Sequence, residues 1–460
     1  MPCEMSTEDM SSFQPARGTR DFLPAELNVR NKIVEILAKT IEKYGFLPVD
    51  TPVFENFSFL SKKSGPEVKE QIYYFKDKGD RELGLRFDLT VPIVRVVLNN
   101  PQLPKPLKLY SVNKVWRYEE ISPGRYREFA QADIEILGSS GTIVDAETIA
   151  VAVGILRVFG IPKIKVKINN RDILEGFAKS VGVPEAKKES FFRAIDKKEK
   201  LSEDSFRKEL LAAGVPEESV GRVIEYCSFS GDFSKVLKLA ETKLNQNSLV
   251  TEGLGKLREL FGLLRNYSVD QFCELDLSIA RGLDYYTGII FEIKAGNYGL
   301  SVVGGGRYDR LLGQYSGTEM PATGFGLGID RLYEVLEKEG KLPKGDAGSR
   351  ALVIPIGENA LAKAIELVSS IRSAGINSEI DLVGRSIGKN LEFADKAKIK
   401  FGVIVGEKEV SGGFATVKNL ETGEMGPVSF SQVPFFISGK LNSPEPEDPS
   451  SSKVPEEGDE

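Results

Sequence analysis

The chain has 460 residues, 41% of them hydrophobic and 28% charged, with a formal net charge of −6; this is the balance of a globular protein of roughly two to four domains. It contains no histidine, and its cysteines (Cys3, Cys227 and Cys273) lie far apart. That excludes Ser-His-Asp and Cys-His catalysis, histidine-ligated metals, imidazole pH switching and a cysteine framework for zinc or disulfides.

The N-terminal MPCEMSTEDMSSFQ has neither a basic start nor an apolar core, and residues 1–15 are expected to be frayed. From Glu26 to Tyr44, Ile33, Ile36, Leu37, Ile41 and Tyr44 recur at helical spacing, and Gly45 follows as a stop. Phe46–Phe54 reads as a strand despite Pro48 and Pro52, with further strands at Glu82–Asp88, Leu107–Val112, Asn113–Tyr118 and Glu128–Leu137 and a helix at Thr142–Phe159. No apolar run reaches the ~18 residues of a membrane span; the longest candidate, Ile149–Leu156, is cut off by Arg157 and reads as a buried helix. Consecutive strands with helices outside them imply a mixed, largely antiparallel sheet. Residues 171–265, rich in Lys, Glu, Ala and Leu, read as a helical insertion. Strands return at Phe272–Leu277, Thr287–Ala295 and Leu300–Val303, and a helix follows Gly328. A linker at 337–350 precedes strand–helix alternation over 351–440, the signature of a compact α/β domain, and residues 441–460 form an acidic tail expected to be disordered.

Four constellations carry chemistry. In KVWRYEEISPGRYREFAQADIEILG (Lys114–Gly138), Arg117 and Glu119 close one strand and Arg125, Arg127 and Phe129 open the next. Gln131, Asp133 and Glu135 then share one strand face, opposite Ala130, Ala132, Ile134 and Ile136. Such polar residues can simply face water, but arginines, an aromatic ring and a line of carboxyl and amide groups also suit a polyanion with a planar base, such as ATP. In ARGLDYYTG (Ala280–Gly288), adjacent Tyr285 and Tyr286 on a strand would point to opposite faces, leaving at most one for a pocket. GGGRY (Gly304–Tyr308) and ATGFGLGIDRL (Ala322–Leu332) offer glycines for close backbone approach to a ligand and a helix bearing Arg331, in neither the Walker nor the Rossmann spacing. In LRFDLTVP (Leu85–Pro92), Asp88 and Thr90, alternating on a strand, could hold an ammonium group.

In this order the segments resemble a histidyl-tRNA synthetase of class II. RGTRDFLP (Arg17–Pro24) is similar to the family's N-terminal signature, the helix and strand through Pro52 to motif 1, RYEE…GRYREF to motif 2 and GFGLGIDR to motif 3. RGLDYYTG and GRYREFAQADIEILG resemble signatures peculiar to the histidine enzyme, and the likeness spans about residues 15–435. Tyr118 and Ala130 depart from it, standing where histidine is common in the family.

The resemblance implies an α/β class II catalytic domain over 16–336, an anticodon-binding domain over 351–440, a homodimer, and histidine, ATP and tRNA(His) as partners. Magnesium would come bound with ATP, and no metal would be held by the protein itself. Arg117 would bind the α-phosphate, Phe129 would stack on adenine, Glu119 would meet the base or the tRNA terminus, and Arg331 would pair with the γ-phosphate. Asp88, Thr90 and Gln131 would hold the α-amino group, Glu135 and Tyr285 the imidazole nitrogens, with Tyr286 beside them. Arg281 would bridge the substrate carboxylate and the α-phosphate, where other class II enzymes place a metal ion.

Two rivals follow from the same residues. A non-catalytic paralogue serving as a regulatory subunit in histidine biosynthesis would lose motif residues and the C-terminal domain, whereas Arg117, Glu119, Arg281, Arg331 and the domain after Ala351 are all present. An RNA-binding or signalling module would keep the fold without the chemistry, and the basic side chains Arg385, Lys389, Lys396, Lys398, Lys400 and Lys408 would fit an anticodon-binding face. A class I synthetase is disfavoured because its signature needs histidines. The expected location is the cytoplasm, away from any membrane.

Overall fold

The structure is a computed structural model that describes residues 13–62, 66–122, 124–244, 247–280, 285–345 and 348–442. The expected acidic tail beyond 442 and the first twelve residues lie outside these. The chain divides into two units, 1–344 and 345–460, each with its own hydrophobic core.

In the first unit, α1 (Pro24–Glu42) starts with a proline where the amide has no helical partner, and it buries Ile33, Leu37 and Ile41 at a spacing of four. The segment expected as one strand at Phe46–Phe54 is two: β1 (Leu47–Pro48) and β2 (Phe54–Asn56) belong to different sheets, because Pro48 and Pro52 deny ladder hydrogen bonds. β2 joins β3 (Tyr74–Lys76) and β4 (Glu82–Leu85) in a small sheet. The stretch after it corrects the sequence reading. Asp88 is in a loop, and Thr90 opens the helix α2 (Thr90–Asn99), so the two do not alternate on a strand. Pro92 falls within the first turn of α2, where proline is tolerated.

The main sheet, among the described residues, has nine strands in the order β1-β5-β6-β12-β11-β10-β7-β9-β8. Its members are β5 (Leu107–Trp116), which merges two expected strands, β6 (Glu128–Leu137), β7 (Lys165–Asn170), β8 (Ser230–Asp232), β9 (Cys273–Asp276), β10 (Ile289–Lys294), β11 (Ser301–Arg307) and β12 (Ala322–Gly328). Only β1–β5 and β7–β9 pair parallel. Helix α3 (Thr142–Val158) packs on it with Ile149, Val153 and Leu156 fully buried. The insertion is mainly helical from Arg171 to Asn266, though β8 within it adds an edge strand. The two glycine clusters expected near a ligand lie in strands, β11 and β12, and α4 (Ile329–Lys338) begins directly after Gly328.

The second unit is a five-stranded sheet, β14-β13-β15-β16-β17, built from β13 (Ala351–Pro355), β14 (Ser378–Ile380), β15 (Phe401–Val405), β16 (Phe414–Asn419) and β17 (Met425–Ser429). Its first three strands are parallel, with helices Glu358–Ser373 and Ile387–Lys396 in the crossovers.

Candidate active site

Strand β6 sets the geometry. Phe129, Gln131, Asp133 and Glu135 share one face, and the six steps of ~3.3 Å between the first and the last span about 20 Å of strand. On neighbouring β12, Gly328, Gly326 and Gly324 stand opposite Gln131, Asp133 and Glu135. Those glycines are a steric requirement: a Cβ at Gly324 would lie 1.6 Å from Glu135 Oε2, and one at Gly326 would lie 2.6 Å from Gln131 Nε2. The sequence reading assigned this space to a ligand; the side chains of β6 take part of it. One strand further on, Gly304 and Gly306 pair with Gly326 and Gly324, extending a floor free of side chains.

Over this floor is a cavity of about 320 Å³. Its lining brings together Asp88, Thr90, Arg117, Glu119, Phe129, Gln131, Glu135, Tyr285, Tyr286 and Arg331. Arg281 lies outside the described residues. Both tyrosines of the pair reach the cavity, against the expectation of one, because they precede β10 in a turn and have no strand alternation. Asp133, Tyr308 and Asp330 are among the lining residues that had no assigned role. Asp133 was legible from its parity with Gln131 and Glu135; Tyr308 and Asp330 gave no pattern signal.

One end of the cavity is acidic. Asp133 and Glu135 are each 1% exposed and Asp88 is 4% exposed. Thr90 Oγ1 lies 2.6 Å from Glu135 Oε1 and 3.4 Å from Asp133 Oδ2, and Leu89 N donates to Asp133 Oδ2 at 3.0 Å. The Gln131 amide donates to Asp133, and the Tyr308 hydroxyl donates to Glu135. Asp88 Oδ1 accepts the Val91 amide at 3.1 Å, while its buried Oδ2 has no partner among the described residues. Burial raises all three carboxyls, with the Asp133 charge adding to the effect on Asp88 and Glu135; Asp88 is pushed up to about 7. Such a cluster favours a bound proton or a bound cation.

The other end is cationic and aromatic. Arg117 donates to the Phe87 carbonyl at 2.8 Å, stands 3.9 Å from the Glu119 carboxylate and lies 5.3 Å from the Phe129 ring centre. Arg331 donates to the carbonyl of Ser301 at 2.7 Å and that of Gly124 at 3.4 Å, which anchors it on the cavity wall. Arg307 of the GGGRY segment is structural: it pairs with buried Asp145 at 2.8 Å and ties β11 to the start of α3. In the second unit, three of the basic side chains considered for RNA contact have acidic partners: Arg385 with Asp381, Lys396 with Glu392 and Lys400 with Glu421. No group of three or more acidic or cysteine side chains suited to a metal occurs among the described residues, and no helix there is long and apolar enough to cross a membrane.

A family model described as Histidyl-tRNA synthetase matches residues 18–332, and one described as Anticodon binding domain matches residues 350–440. The histidine–tRNA ligase of Pyrococcus furiosus is 40% identical over 434 residues, covering 94% of this chain and all of that protein. That of Pyrococcus abyssi is also 40% identical, over 433 residues, with 94% and 100% covered. The crystal structure of histidyl-tRNA synthetase from Nostoc sp. PCC 7120 superposes with a TM-score of 0.79 at 28% identity, covering 93% of this chain and 99% of that one. With both domains matched over nearly its whole length, the chain belongs to the histidyl-tRNA synthetase family.

Proposed function

We infer that the chain activates histidine with ATP to histidyl-adenylate and pyrophosphate, then transfers the histidyl group to the 3′ end of tRNA(His) with release of AMP. The observation that carries this is the polarity of one cavity: an acidic, buried end at Asp88, Asp133 and Glu135, and a cationic, aromatic end at Arg117, Phe129 and Arg331. The first suits an ammonium and an imidazole, the second a triphosphate and a base.

In this reading Asp88, with its orphaned Oδ2, takes the α-ammonium group together with Thr90 and Gln131, and Asp133 joins them through the Gln131 amide. Glu135 and Tyr285 face the two ring nitrogens, and Tyr286 closes the same wall. Glu135 accepts from Thr90 and Tyr308 and keeps lone pairs for a ring N–H. Amino acids without those nitrogens leave buried groups unpaired, which in comparable sites means roughly 10⁴–10⁵-fold rejection.

Activation brings a carboxylate onto a phosphorus surrounded by negative oxygens. Arg117 at the α-phosphate, Arg331 at the γ-phosphate and Arg281 between carboxylate and α-phosphate offset that repulsion, with no general base required. Phe129 supports the adenine, and Glu119 meets the base or the tRNA end. Magnesium fits as a passenger of the triphosphate, since it keeps phosphate and water ligands and needs no protein cage. A homodimer in the cytoplasm completes the reading. The regulatory-paralogue alternative is less supported, because the likeness extends through the anticodon-binding domain.

Amino-acid-dependent ATP–pyrophosphate exchange tests this directly. Histidine alone among the standard amino acids should stimulate it; stimulation by a different amino acid, or by none, overturns the reading.

A further inference from the structure

The segment RGTRDFLP has no part in the chemistry above, yet it touches the nucleotide end of the cavity from outside. The Gly18 carbonyl accepts the amides of Arg127 and Glu128 at 2.9 and 3.4 Å, so residues 17–23 strap the entry to β6. Gly18 has φ +87°, and a Cβ there would lie 2.8 Å from Arg127 Cγ, so only glycine lets the strap come this close. Two residues on, the Arg20 guanidinium carbon sits 3.9 Å from the centre of the Tyr126 ring, and the same group donates to the Asp330 carboxylate. Asp330 also accepts Arg30 at 2.8 Å and, through its other oxygen, the amide of Ala130 at 2.8 Å. Tyr126 and Asp330 both line the cavity, and Asp330 directly precedes Arg331 on α4.

We propose that Arg20 is a positioning residue for the nucleotide half of the reaction: it clamps Tyr126, at the entry to β6, to Asp330, at the start of α4, and thereby fixes the spacing between Phe129 and Arg331. The planar guanidinium is the reason for arginine here. It stacks on a ring and pairs with a carboxylate at once, which a lysine ammonium cannot do with the same geometry. None of the contacts just described reaches Asp88, Asp133 or Glu135, so the effect is confined to one end of the cavity. The proposal rests on the nucleotide reading of that end.

Steady-state exchange kinetics with ATP and histidine varied separately give the test. Arg20→Ala should raise KM for ATP by about tenfold or more and lower kcat, with KM for histidine within about twofold. Arg20→Lys should fall between that variant and the unaltered protein, and it carries the same split should the alanine variant not fold. Tyr126→Leu should reproduce the ATP effect, and adding Arg20→Ala to it should change little more, because one clamp is being removed twice. Equal rises in both KM values, full additivity of the two substitutions, or a lowered melting temperature with both KM values unchanged would each overturn the proposal. An unaltered protein with no histidine-dependent exchange would instead remove the functional reading beneath it.

Discussion

Asp88 shows how a single residue trades stability for binding. Its carboxyl is buried beside Asp133, holds one amide on Oδ1 and leaves Oδ2 without a partner among the described residues. With the folded carboxyl pushed up to about 7 and an unfolded one near ~3.9, the folded chain retains a proton that the unfolded chain has released between those values. Stability from this group therefore falls as pH rises from ~4 towards 7 and is constant above, a loss of at most about 4 kcal/mol. Asp88→Asn keeps an oxygen for Val91 and removes the titration. In the absence of ligand its melting temperature should exceed that of the unaltered protein by a margin that grows up to about pH 7, while its KM for histidine rises. A margin that does not move with pH would show that Asp88 is not the buried charge described. Asp88 was legible in the sequence as a candidate ligand, but its loop was not. Leu-Thr-Val-Pro-Ile-Val-Arg-Val-Val is rich in β-branched residues, and the helix that begins at Thr90 is held by burial of Val91, Ile93, Val94 and Val97, a tertiary cause with no local signature.

The strands teach the converse lesson. β6 was readable to the residue, because small or apolar and polar residues alternate from Ala130 to Ile136. Neighbouring β12 was not, and of β11 only the start was read, as Leu300–Val303, because glycine has low strand propensity and reads as a turn. Gly324 and Gly326 are there because the Glu135 and Gln131 side chains lie across β12. Gly324→Ala should therefore displace Glu135, and a misplacement on the ångström scale is worth about 10²-fold in activity. Histidine KM should suffer more than ATP KM in exchange assays on a protein whose melting temperature shows that it is folded. A variant with ordinary histidine kinetics would mean that the carboxylate and the glycine do not compete for space. Sheet order was equally hidden: β12 pairs with β6 across nearly two hundred residues of chain, and nothing local announces it.

At the scale of the whole molecule, two separate cores predict separable activities. Ile33, Ile149 and Leu336 belong to the core of the first unit, and Val353, Leu367 and Val403 to that of the second. All the described residues assigned to histidine and ATP fall in the first. A fragment of residues 1–344 should keep histidine-dependent exchange within a few-fold of the full chain and lose efficient charging of tRNA(His), as measured by aminoacylation. Charging at full efficiency would leave the second unit without the role proposed for it. A boundary near here was expected from the sequence because the linker's Gly, Lys and Pro content breaks all periodicity, whereas the bridging role expected of Arg281 rests on family likeness, since that residue lies outside the described structure.

The acidic end of the cavity has a spectroscopic consequence. Since the polypeptide contributes no imidazole of its own, histidine labelled with carbon-13 at ring C2 and bound without ATP would give the sole imidazole C2–H resonance of the complex. Its chemical shift, followed against pH, would report the tautomer and charge of the ligand ring against Glu135, turning the substrate into a probe of the carboxylates that hold it.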